Sequence, residues 1–319
     1  GLTTGTVLVG ADVFIKEIGA LRYVKIACRR QRQMGRRDSD WGDYLHFSLA
    51  EMVDISEVSQ ANTHIDRRAT DIGKQLVVLI GADSITPDLE ENLIFKAVKA
   101  LLSHIILGGK LPKSLQTVSI TLDKHLPMGA GLGGGSSNAA TTLLVLNELW
   151  HFDLDQDELI EIATTIGADV PIFIFAQDAI AMGIGEQLTP IDLADQNYLI
   201  LTPSAHVNTA ELFAHSKLQR DIVPLSIETI KNQTDDYVQQ LNAPYENVFK
   251  PVVVSLAPAV DEALSYLQSL ESQALGKARM TGSGSAVFLP LDASVVADKV
   301  LLQKWLADAP CAGYLVSNL

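Results

Sequence analysis

Alternating apolar and polar residues predict strands in the first part of the chain. The segment DYLHFSL, residues 43–49, has the period of two that is typical of a strand with one buried face. Residues 117–124, TVSITLDK, repeat this period more sharply and predict a half-exposed strand of an antiparallel sheet. The almost uniformly apolar run KQLVVLIGA, residues 74–82, instead predicts a buried strand.

Apolar residues at helical spacing predict three helices between residues 86 and 167. The first is expected to begin with Thr86 as N-cap and Pro87 at its first position, because acidic residues then fill its first turn. The second is expected over about Ser137–Trp150. The third, residues 155–167, starts with the capping-box pattern DQDE and ends on a glycine.

Strands and helices continue through the rest of the chain. NYLILT, residues 197–202, is typical of a strand, and PAVDEALSYLQSL, residues 258–270, of a helix. Because the strands are mostly amphipathic, we predict an α+β fold rather than a doubly wound parallel sheet. The 319 residues are enough for two domains, and a hydrophobic content of 47% is enough for a packed core.

Charge and composition exclude several classes of protein. The chain has 24 basic and 38 acidic residues, and its net charge of −14 argues against nucleic acid as a partner. No apolar run reaches the length of a membrane span and no signal pattern opens the chain, so we expect a cytoplasmic protein without a membrane partner. Cys28 and Cys311 fit neither a metal-ligand spacing nor a disulfide framework.

One segment departs from the acidic composition. Residues 22–37, RYVKIACRRQRQMGRR, carry seven positive charges and no acidic side chain. We consider three interpretations of this segment: a solvated basic arm, a specific site for an anion, or a segment foreign to the natural protein.

The segment LPMGAGLGGGSSNAATTLL, residues 126–144, places five glycines and two serines before a predicted helix. Three of the glycines match the dinucleotide fingerprint G-x-G-x-x-G, but the preceding strand is amphipathic and does not lead directly into them. No Gly-Lys-Ser/Thr ends the loop, which argues against a Walker-type site. A structural turn is the third alternative, but so many glycines lose considerable entropy on ordering. Ser136 and Ser137 are expected to cap the helix, whose N–H groups and dipole suit a phosphate.

These residues resemble the phosphate loop of the GHMP kinases. Further family motifs follow the same order along the chain: EENLIFKAVKALL, IGADVPIFIF, GIGEQLTPI, HVNTAELF, ENVFKPVV and ARMTGSGSAVF. The resemblance covers about residues 85–319. It implies a two-domain α+β fold, with an ATP-binding domain like ribosomal protein S5 domain 2 over residues 1–188 and a ferredoxin-like domain over residues 189–319. Residues 1–75 are unassigned within the first domain.

The resemblance implies a small-molecule kinase that uses ATP and Mg²⁺. The extended loop is similar to that of the members that phosphorylate a hydroxyl of cytidine-diphosphate-linked methylerythritol. Asp169, in GADVP, falls on the family's general base, which takes the proton of the attacking hydroxyl. The alternative from the residues alone is that Asp169 only caps the turn before Pro171.

The resemblance also implies ligand-binding residues. Ser137 is additionally expected to help hold Mg²⁺. Thr209, Phe213 and Gly282 match positions on the substrate side, and Phe213 is either a stacking partner for cytosine or a core residue. The positions expected to bind ATP are Pro127, Met128, Gly129, Ala130, Gly131, Leu132, Gly133, Gly134, Gly135, Ser136, Ser137 and Asn92.

The family's first motif, Pro-Ala-Lys-x-Asn followed by Asp-Gly-Tyr-His, is missing. Lys25, in YVKIACRR, is the nearest match to its catalytic lysine, but Ala27 stands where the asparagine is expected. Either this region has diverged, or an altered amino-terminal segment precedes an ordinary kinase body and impairs it. Another GHMP kinase, acting on homoserine, mevalonate or galactose, is one rival function. The other rivals are a nucleotide-binding module without activity and a purely structural protein. We expect the protein to be a monomer or a homodimer.

Overall fold

The computed structural model describes residues 4–7, 15–17, 24–26, 41–60, 64–82, 86–191, 196–220, 227–228 and 247–317. The chain divides into two compact units. The first consists of Gly1–Ala11, Trp41–Leu126 and Gly134–Phe175, and the second of Asp12–Asp40, Pro127–Gly133 and Ala176–Leu319.

Strands and helices are mixed along the whole described chain. The strands are β1 Thr4–Val7, β2 Ile15–Glu17, β3 Val24–Ile26, β4 Tyr44–Asp54, β5 Val77–Ile80, β6 Ser114–Asp123, β7 Ala179–Met182, β8 Gln187–Pro190, β9 Asn197–Thr202, β10 Arg279–Met280, β11 Val287–Leu291 and β12 Ala312–Ser317. The α-helices of five or more residues are α1 Ser56–Gln60, α2 Ile65–Leu76, α3 Leu93–Leu107, α4 Gly134–Leu149, α5 Gln156–Ile166, α6 Val170–Phe175, α7 Thr209–Ala214, α8 Lys250–Leu256, α9 Pro258–Leu270, α10 Ala293–Ala297 and α11 Lys299–Asp308.

The first unit contains a four-stranded sheet in the order β1-β4-β6-β5. Strand β4 pairs antiparallel with β1 and β6, whereas β5 pairs with β6 in parallel. Leu45 and Phe47 of β4 and Val118 and Ile120 of β6 are buried, so the predicted alternation does place one face of each strand in the core. Helices α2, α3, α4 and α5 supply most of the other core residues. The predictions of strands over residues 43–49 and 117–124 are confirmed, but the sheet is mixed rather than antiparallel, because β6 also pairs in parallel with β5.

The prediction of one buried strand over residues 74–82 is wrong. Lys74–Leu76 complete helix α2, and only Val77–Ile80 form a strand, at the edge of the sheet. Val78 and Ile80 are 56% and 48% exposed, because the edge strand packs one face inward and leaves the other outside the core. A short apolar run does not by itself distinguish a buried strand from a helix end that leads into an edge strand.

The predicted start of the first helix at Thr86 is also wrong. A 3-10 helix, Leu89–Glu91, comes first, and the side chain of Asp88 caps it by accepting the Glu90 N–H. Helix α3 then begins at Leu93, with Asn92 accepting the Ile94 N–H at 2.9 Å. The segment has several residues able to cap a helix, and the 5% exposure of Asn92 shows that the cap in use is the one that packing buries.

Helix α4 begins at Gly134, three residues before the predicted start at Ser137. Ser136 and Ser137 therefore lie inside its first turn, and the prediction that they cap the helix is wrong. Glycine is a poor helix former, so the early start does not follow from local helix propensity. The end of the helix, at Leu149, agrees with the prediction within one residue.

Two other helix predictions are confirmed. Helix α5 has the predicted capping box, in which Asp155 accepts the Glu158 N–H and the Glu158 side chain accepts the Asp155 N–H. The C-cap of α5 is Gly167, whose φ of 176° is extended backbone. Helix α9 covers Pro258–Leu270, as the sequence predicts.

The second unit contains a four-stranded antiparallel sheet in the order β10-β11-β9-β12. Every residue of β11 is buried, and helices α8, α9 and α11 contribute apolar side chains to the same core. Two smaller sheets, β2 with β3 and β7 with β8, belong to this unit, and β3 contacts β7.

The α+β prediction is confirmed, since helices share one core with a mostly antiparallel sheet and the other with an antiparallel sheet. The predicted domain limits of 1–188 and 189–319 stay a prediction. Most of the basic segment, residues 22–37, lies outside the described residues, and so does Cys28. Cys311 is a free thiol whose pKa is raised, chiefly by burial.

Candidate active site

The glycine loop Pro127–Gly133 has left-handed backbone at every second residue. The φ angles of Gly129, Gly131 and Gly133 are +66°, +73° and +71°. Such alternation is typical of an anion-binding nest, in which successive backbone N–H groups point to one side. Glycine is needed because residues with a Cβ are disfavoured at these angles. The loop is therefore suited to a phosphate rather than being a simple turn.

The loop is held in this shape by the segment Thr281–Ala286. The Ala286 N–H donates to Ala130 O at 3.0 Å, and Thr281 Oγ1 donates to Gly131 O at 3.0 Å. A Cβ on Gly131 would lie only 2.5 Å from Thr281 O. This segment, TGSGSA, forms a second glycine turn, and the φ of its Gly282 is +56°. The structure thus brings it against the glycine loop.

The N-terminus of α4 directly follows the loop in the chain. The first N–H groups of a helix have no partner within it and carry its positive dipole end, which suits a phosphate. No acidic residue lies in the first turn of α4. Ser136 in this turn is half-buried, whereas Ser137 is only 4% exposed.

Two of the glycines in this region have a packing role. A Cβ on Gly134 would lie 3.1 Å from Lys124 Nζ and 3.3 Å from Asp43 Oδ2. A Cβ on Gly135 would lie 3.0 Å from Leu93 Cδ1, at the start of α3. A side chain at either position would therefore require these neighbouring side chains to shift.

A buried carboxylate fixes the residues just before the loop. Asp43 has no exposed surface. Its Oδ2 accepts from Lys124 Nζ at 2.5 Å and from Asn138 Nδ2 at 2.9 Å. Its Oδ1 accepts from the backbone N–H groups of His125 at 3.0 Å and Leu126 at 2.9 Å. Burial, the largest effect, raises the pKa of Asp43, but Lys124 and the other donors together lower it below the ordinary value.

Asp169 lies between helices α5 and α6. The turn that contains it is closed by the Val170 N–H, which donates to Gly167 O at 3.0 Å. Helix α6 contacts both α4 and α5, so the backbone around Asp169 is anchored in the first unit. Asp169 itself is half-buried, and its Oδ1 is buried. The carboxylate therefore keeps part of its surface exposed.

Two predicted residues lie in different units. Asn92 is buried in the first unit, where its Oδ1 caps α3. Lys25 lies in strand β3 of the second unit, where its Cα pairs with that of Lys16 in β2. The side chain of Lys25 lies outside the described residues.

The predicted substrate residues lie on or near helix α7. Thr209 Oγ1 donates to Ser283 Oγ at 2.9 Å, which joins α7 to the second glycine turn beside Gly282. Phe213 is 40% exposed and packs edge-to-face on Phe249 with ring centroids 4.9 Å apart. Phe213 is thus not a plain core residue, because much of its ring is open to solvent.

Several residues with long-range contacts were missed from the sequence. Asp43, Asn138 and Asn247 act through partners far away along the chain, so no local pattern marks them. His206 is exposed, and its Nδ1 would lie 3.0 Å from a Cβ on Gly129. The signals available were SSNAA and ENVF, two motifs of the family resemblance that contain Asn138 and Asn247.

The described residues contain neither a ready metal centre nor a membrane helix. Among them, no three His, Cys, Asp or Glu side chains are grouped so that they could hold a metal ion. In the same part of the chain, no helix combines the length and the apolar character needed to cross a membrane.

Comparisons with known proteins match both parts of the chain. The GHMP kinases N terminal domain matches residues 92–177, and the GHMP kinases C terminal domain matches residues 226–304. A protein of Psychrobacter cryohalolentis named 4-diphosphocytidyl-2-C-methyl-D-erythritol kinase is 68% identical over 281 residues, which are 88% of this chain and 87% of that protein.

Two solved structures share the fold. A crystal structure of 4-(cytidine 5'-diphospho)-2C-methyl-D-erythritol kinase has a TM-score of 0.57 and 24% identity, over 95% of this chain and 97% of that one. A homoserine kinase from Cytophaga hutchinsonii has a TM-score of 0.60 and 14% identity, over 96% of this chain and 93% of that one. Similarity at these identities concerns the fold alone.

Proposed function

This chain belongs to the GHMP kinase family, and from that premise we propose that it phosphorylates 4-diphosphocytidyl-2-C-methyl-D-erythritol with ATP. The reaction is a step of non-mevalonate isoprenoid precursor biosynthesis. The observation that carries the proposal is the 68% identity to a kinase of that name over 88% of the chain. The homoserine kinase is similar in fold at only 14% identity, so it gives no comparable support for a different substrate.

The phosphates of ATP bind at the loop Pro127–Gly133 and at the N-terminus of α4. The support is the alternating left-handed backbone of the loop and the acid-free first turn of the helix. A chain with a net charge of −14 needs such local donors to hold an anion. Asn92 is proposed to lie on the adenosine side, although its Oδ1 is already used as a helix cap.

Asp169 is proposed as the general base. The substrate hydroxyl oxygen forms a bond to the γ-phosphorus, the bond from that phosphorus to the bridging oxygen breaks, and ADP leaves. The hydroxyl proton passes to the Asp169 carboxylate. Lys25 is proposed to assist deprotonation, on the family resemblance of its segment alone.

Mg²⁺ is proposed to arrive with the nucleotide. This ion normally keeps phosphate and water ligands and takes few ligands from the protein, which fits a region with serine hydroxyls and no carboxylate cluster among its described residues. Ser137 and its more exposed neighbour Ser136 are the candidate ligands. The ion would neutralise charge on the phosphates.

The cytidine end of the substrate is proposed to contact helix α7. The half-exposed ring of Phe213 can stack on cytosine, and the Thr209 and Gly282 segments lie next to each other through the Thr209–Ser283 hydrogen bond. We further propose a cytoplasmic enzyme that is a monomer or homodimer, which light scattering of the purified chain tests.

An ADP-release assay tests the function. The chain is incubated with ATP, Mg²⁺ and 4-diphosphocytidyl-2-C-methyl-D-erythritol, and homoserine, mevalonate and galactose serve as matched alternative acceptors. Turnover with the cytidine-linked alcohol alone is expected. Faster turnover with another acceptor would replace the proposed substrate by that alcohol.

A second candidate is a nucleotide-binding member without kinase activity. It is favoured by Ala27, which stands where the family's first motif has asparagine, and by the missing proline before Lys25. Calorimetry with the ATP analogue AMP-PNP separates the two candidates. Nucleotide binding without ADP release on any acceptor would favour the inactive member. The phosphate loop lies outside the amino-terminal segment that differs from the family's first motif, so nucleotide binding should be kept.

A further inference from the structure

A buried asparagine outside the described phosphate site uses both parts of its side-chain amide. Asn247 is 5% exposed and lies just before helix α8. Its Nδ2 donates to Met280 O at 3.0 Å and to Gly282 O at 2.8 Å. Its Oδ1 accepts the Phe249 N–H at 3.0 Å. One side chain thus ties the start of α8 to the second glycine turn.

The two carbonyls held by Asn247 flank Thr281. The backbone of Thr281 is held as well, because its N–H donates to Ala286 O at 3.0 Å and its carbonyl accepts the Gly284 N–H at 2.9 Å. These contacts fix the direction in which Thr281 Oγ1 reaches Gly131 O. A continuous set of hydrogen bonds therefore runs from Asn247 through Thr281 to the phosphate loop, and all of it lies within the second unit.

We infer that Asn247 is a positioning residue for nucleotide binding, which sets the shape of the phosphate loop through Thr281. This inference rests on the proposed function, because the loop is taken to bind ATP. Asn247 does not touch the loop itself. It holds the second glycine turn in the conformation in which Thr281 hydrogen-bonds to Gly131, and this hydrogen bond supports the left-handed backbone of Gly131.

The chemistry of the site requires an amide rather than a carboxylate. An aspartate at position 247 would keep an acceptor for the Phe249 N–H, but an ionised carboxylate has no donor for the two carbonyl oxygens. It would instead place negative charge against both of them. The substitution Asn247→Asp therefore breaks the link to the turn with little change in side-chain volume.

Gln196 provides a matched control. It is 6% exposed, and its amide also donates to two backbone carbonyls, those of Asn197 at 2.9 Å and Leu291 at 2.8 Å. Leu291 lies at the far end of β11 from Ala286, about 13 Å along the strand from Val287. Gln196→Glu thus perturbs a comparable buried amide in the same unit, away from the loop.

The experiment measures AMP-PNP binding in the presence of Mg²⁺ by calorimetry, together with the thermal midpoint of each variant. Asn247→Asp and Thr281→Val are expected to raise the Kd by about tenfold, or about 1.4 kcal/mol. Gln196→Glu and Thr281→Ser, which keeps the hydroxyl, are expected to stay within about twofold of the unchanged chain. Asn247→Asp and Thr281→Val interrupt the same set of hydrogen bonds. The variant that combines both changes should therefore have nearly the same Kd as the single variant that binds AMP-PNP more weakly.

Equal losses of affinity in Asn247→Asp and Gln196→Glu would overturn the inference, since a general loss of packing would then explain both. Unchanged affinity in Asn247→Asp would also overturn it. If Asn247→Asp does not fold, the pair Thr281→Val and Thr281→Ser decides the matter. Binding of AMP-PNP by the unchanged chain without ADP release would contradict the proposed function alone, because the affinity comparison needs no turnover.

Discussion

At the scale of the residue, Gly131 and Gly109 have similar backbones in very different surroundings. Their φ angles are +73° and +67°. A Cβ on Gly131 would lie 2.5 Å from Thr281 O and 3.0 Å from Gly284 O, whereas a Cβ on Gly109 would have nothing within 4 Å. Substitution at Gly109 therefore measures the strain of a left-handed residue alone. Substitution at Gly131 adds a clash between the new Cβ and the backbone of the second glycine turn.

We expect Gly109→Ala to cost only the left-handed strain, about 1 kcal/mol of stability. Gly131→Ala must in addition displace the loop or the second glycine turn. Because misplacement of about 1 Å can cost roughly a hundredfold in rate, we expect kcat/KM for ATP to fall by at least about that factor. Steady-state kinetics and thermal unfolding of both variants check this, and similar kinetics in the two would contradict it.

Asp169 is expected to matter for the chemical step and not for nucleotide binding. A positioned general base contributes about a hundredfold to ten-thousandfold, so Asp169→Asn should lower kcat by a factor in that range. The Kd for AMP-PNP should stay nearly unchanged. Asp261→Asn, on the exposed first turn of α9, is the control and should be fully active. Activity retained in Asp169→Asn would exclude this residue as the base.

At the scale of the element, helix starts show what local sequence can and cannot specify. The capping box of α5 could be predicted because Asp155 and Glu158 satisfy each other and need no other partner. The start of α3 could not, because Thr86, Asp88 and Asn92 are all able to cap a helix. Burial of Asn92 against the rest of the first unit decides between them.

The α5 cap supports a prediction of stability. Asp155→Ala removes the acceptor of the Glu158 N–H and should destabilise the protein by about 1 kcal/mol. Scanning calorimetry should show the transition of the first unit lowered by about 2 °C. Glu161→Ala, an exposed change in the middle of the same helix, should have a much smaller effect. Equal shifts in both variants would argue against a role for the cap.

At the scale of the whole molecule, stability in acid should depend on Asp43. Its pKa is lower in the folded chain than in the unfolded chain, so its contribution is fully present above the unfolded pKa of about 3.9. The contribution is lost as the pH falls through the folded pKa. The protein should therefore lose stability steeply below about pH 4.

Asp43→Asn tests this dependence. At pH 7 the variant should lose about 3 kcal/mol, near the lower end for a broken buried pair, because Lys124 is 18% exposed and can be hydrated. The difference from the unchanged chain should shrink as the pH falls below 4, which thermal unfolding across pH measures. Asp292→Asn replaces a half-buried carboxylate whose pKa is also lowered, mainly by the Ser294 side chain, and should change little at either pH. A constant difference across this range would show that Asp43 acts by shape alone.

The fold class and the phosphate loop could be predicted because their signals are local. Periodicity identified β4, β6, α5 and α9, and the glycines identified the loop. The residues that hold the loop could not be predicted by pattern. Asp43 acts on Asn138 across 95 positions and Asn247 on Gly282 across 35, and nothing near either residue indicates its partner.

The hydrogen bond from Thr281 to Gly131 joins residues 150 positions apart, and it has a consequence for synthesis. A nascent chain that has left the ribosome only as far as helix α4 contains the loop sequence but none of the turn that supports it. Such long-range contacts form late, because their loop-closure entropy must be offset by many other contacts. The loop therefore reaches its binding shape only after residue 286 has been made and the second unit has folded. Nucleotide binding by a nascent chain would then indicate that the chain has been synthesised beyond residue 286 and that the second unit has folded.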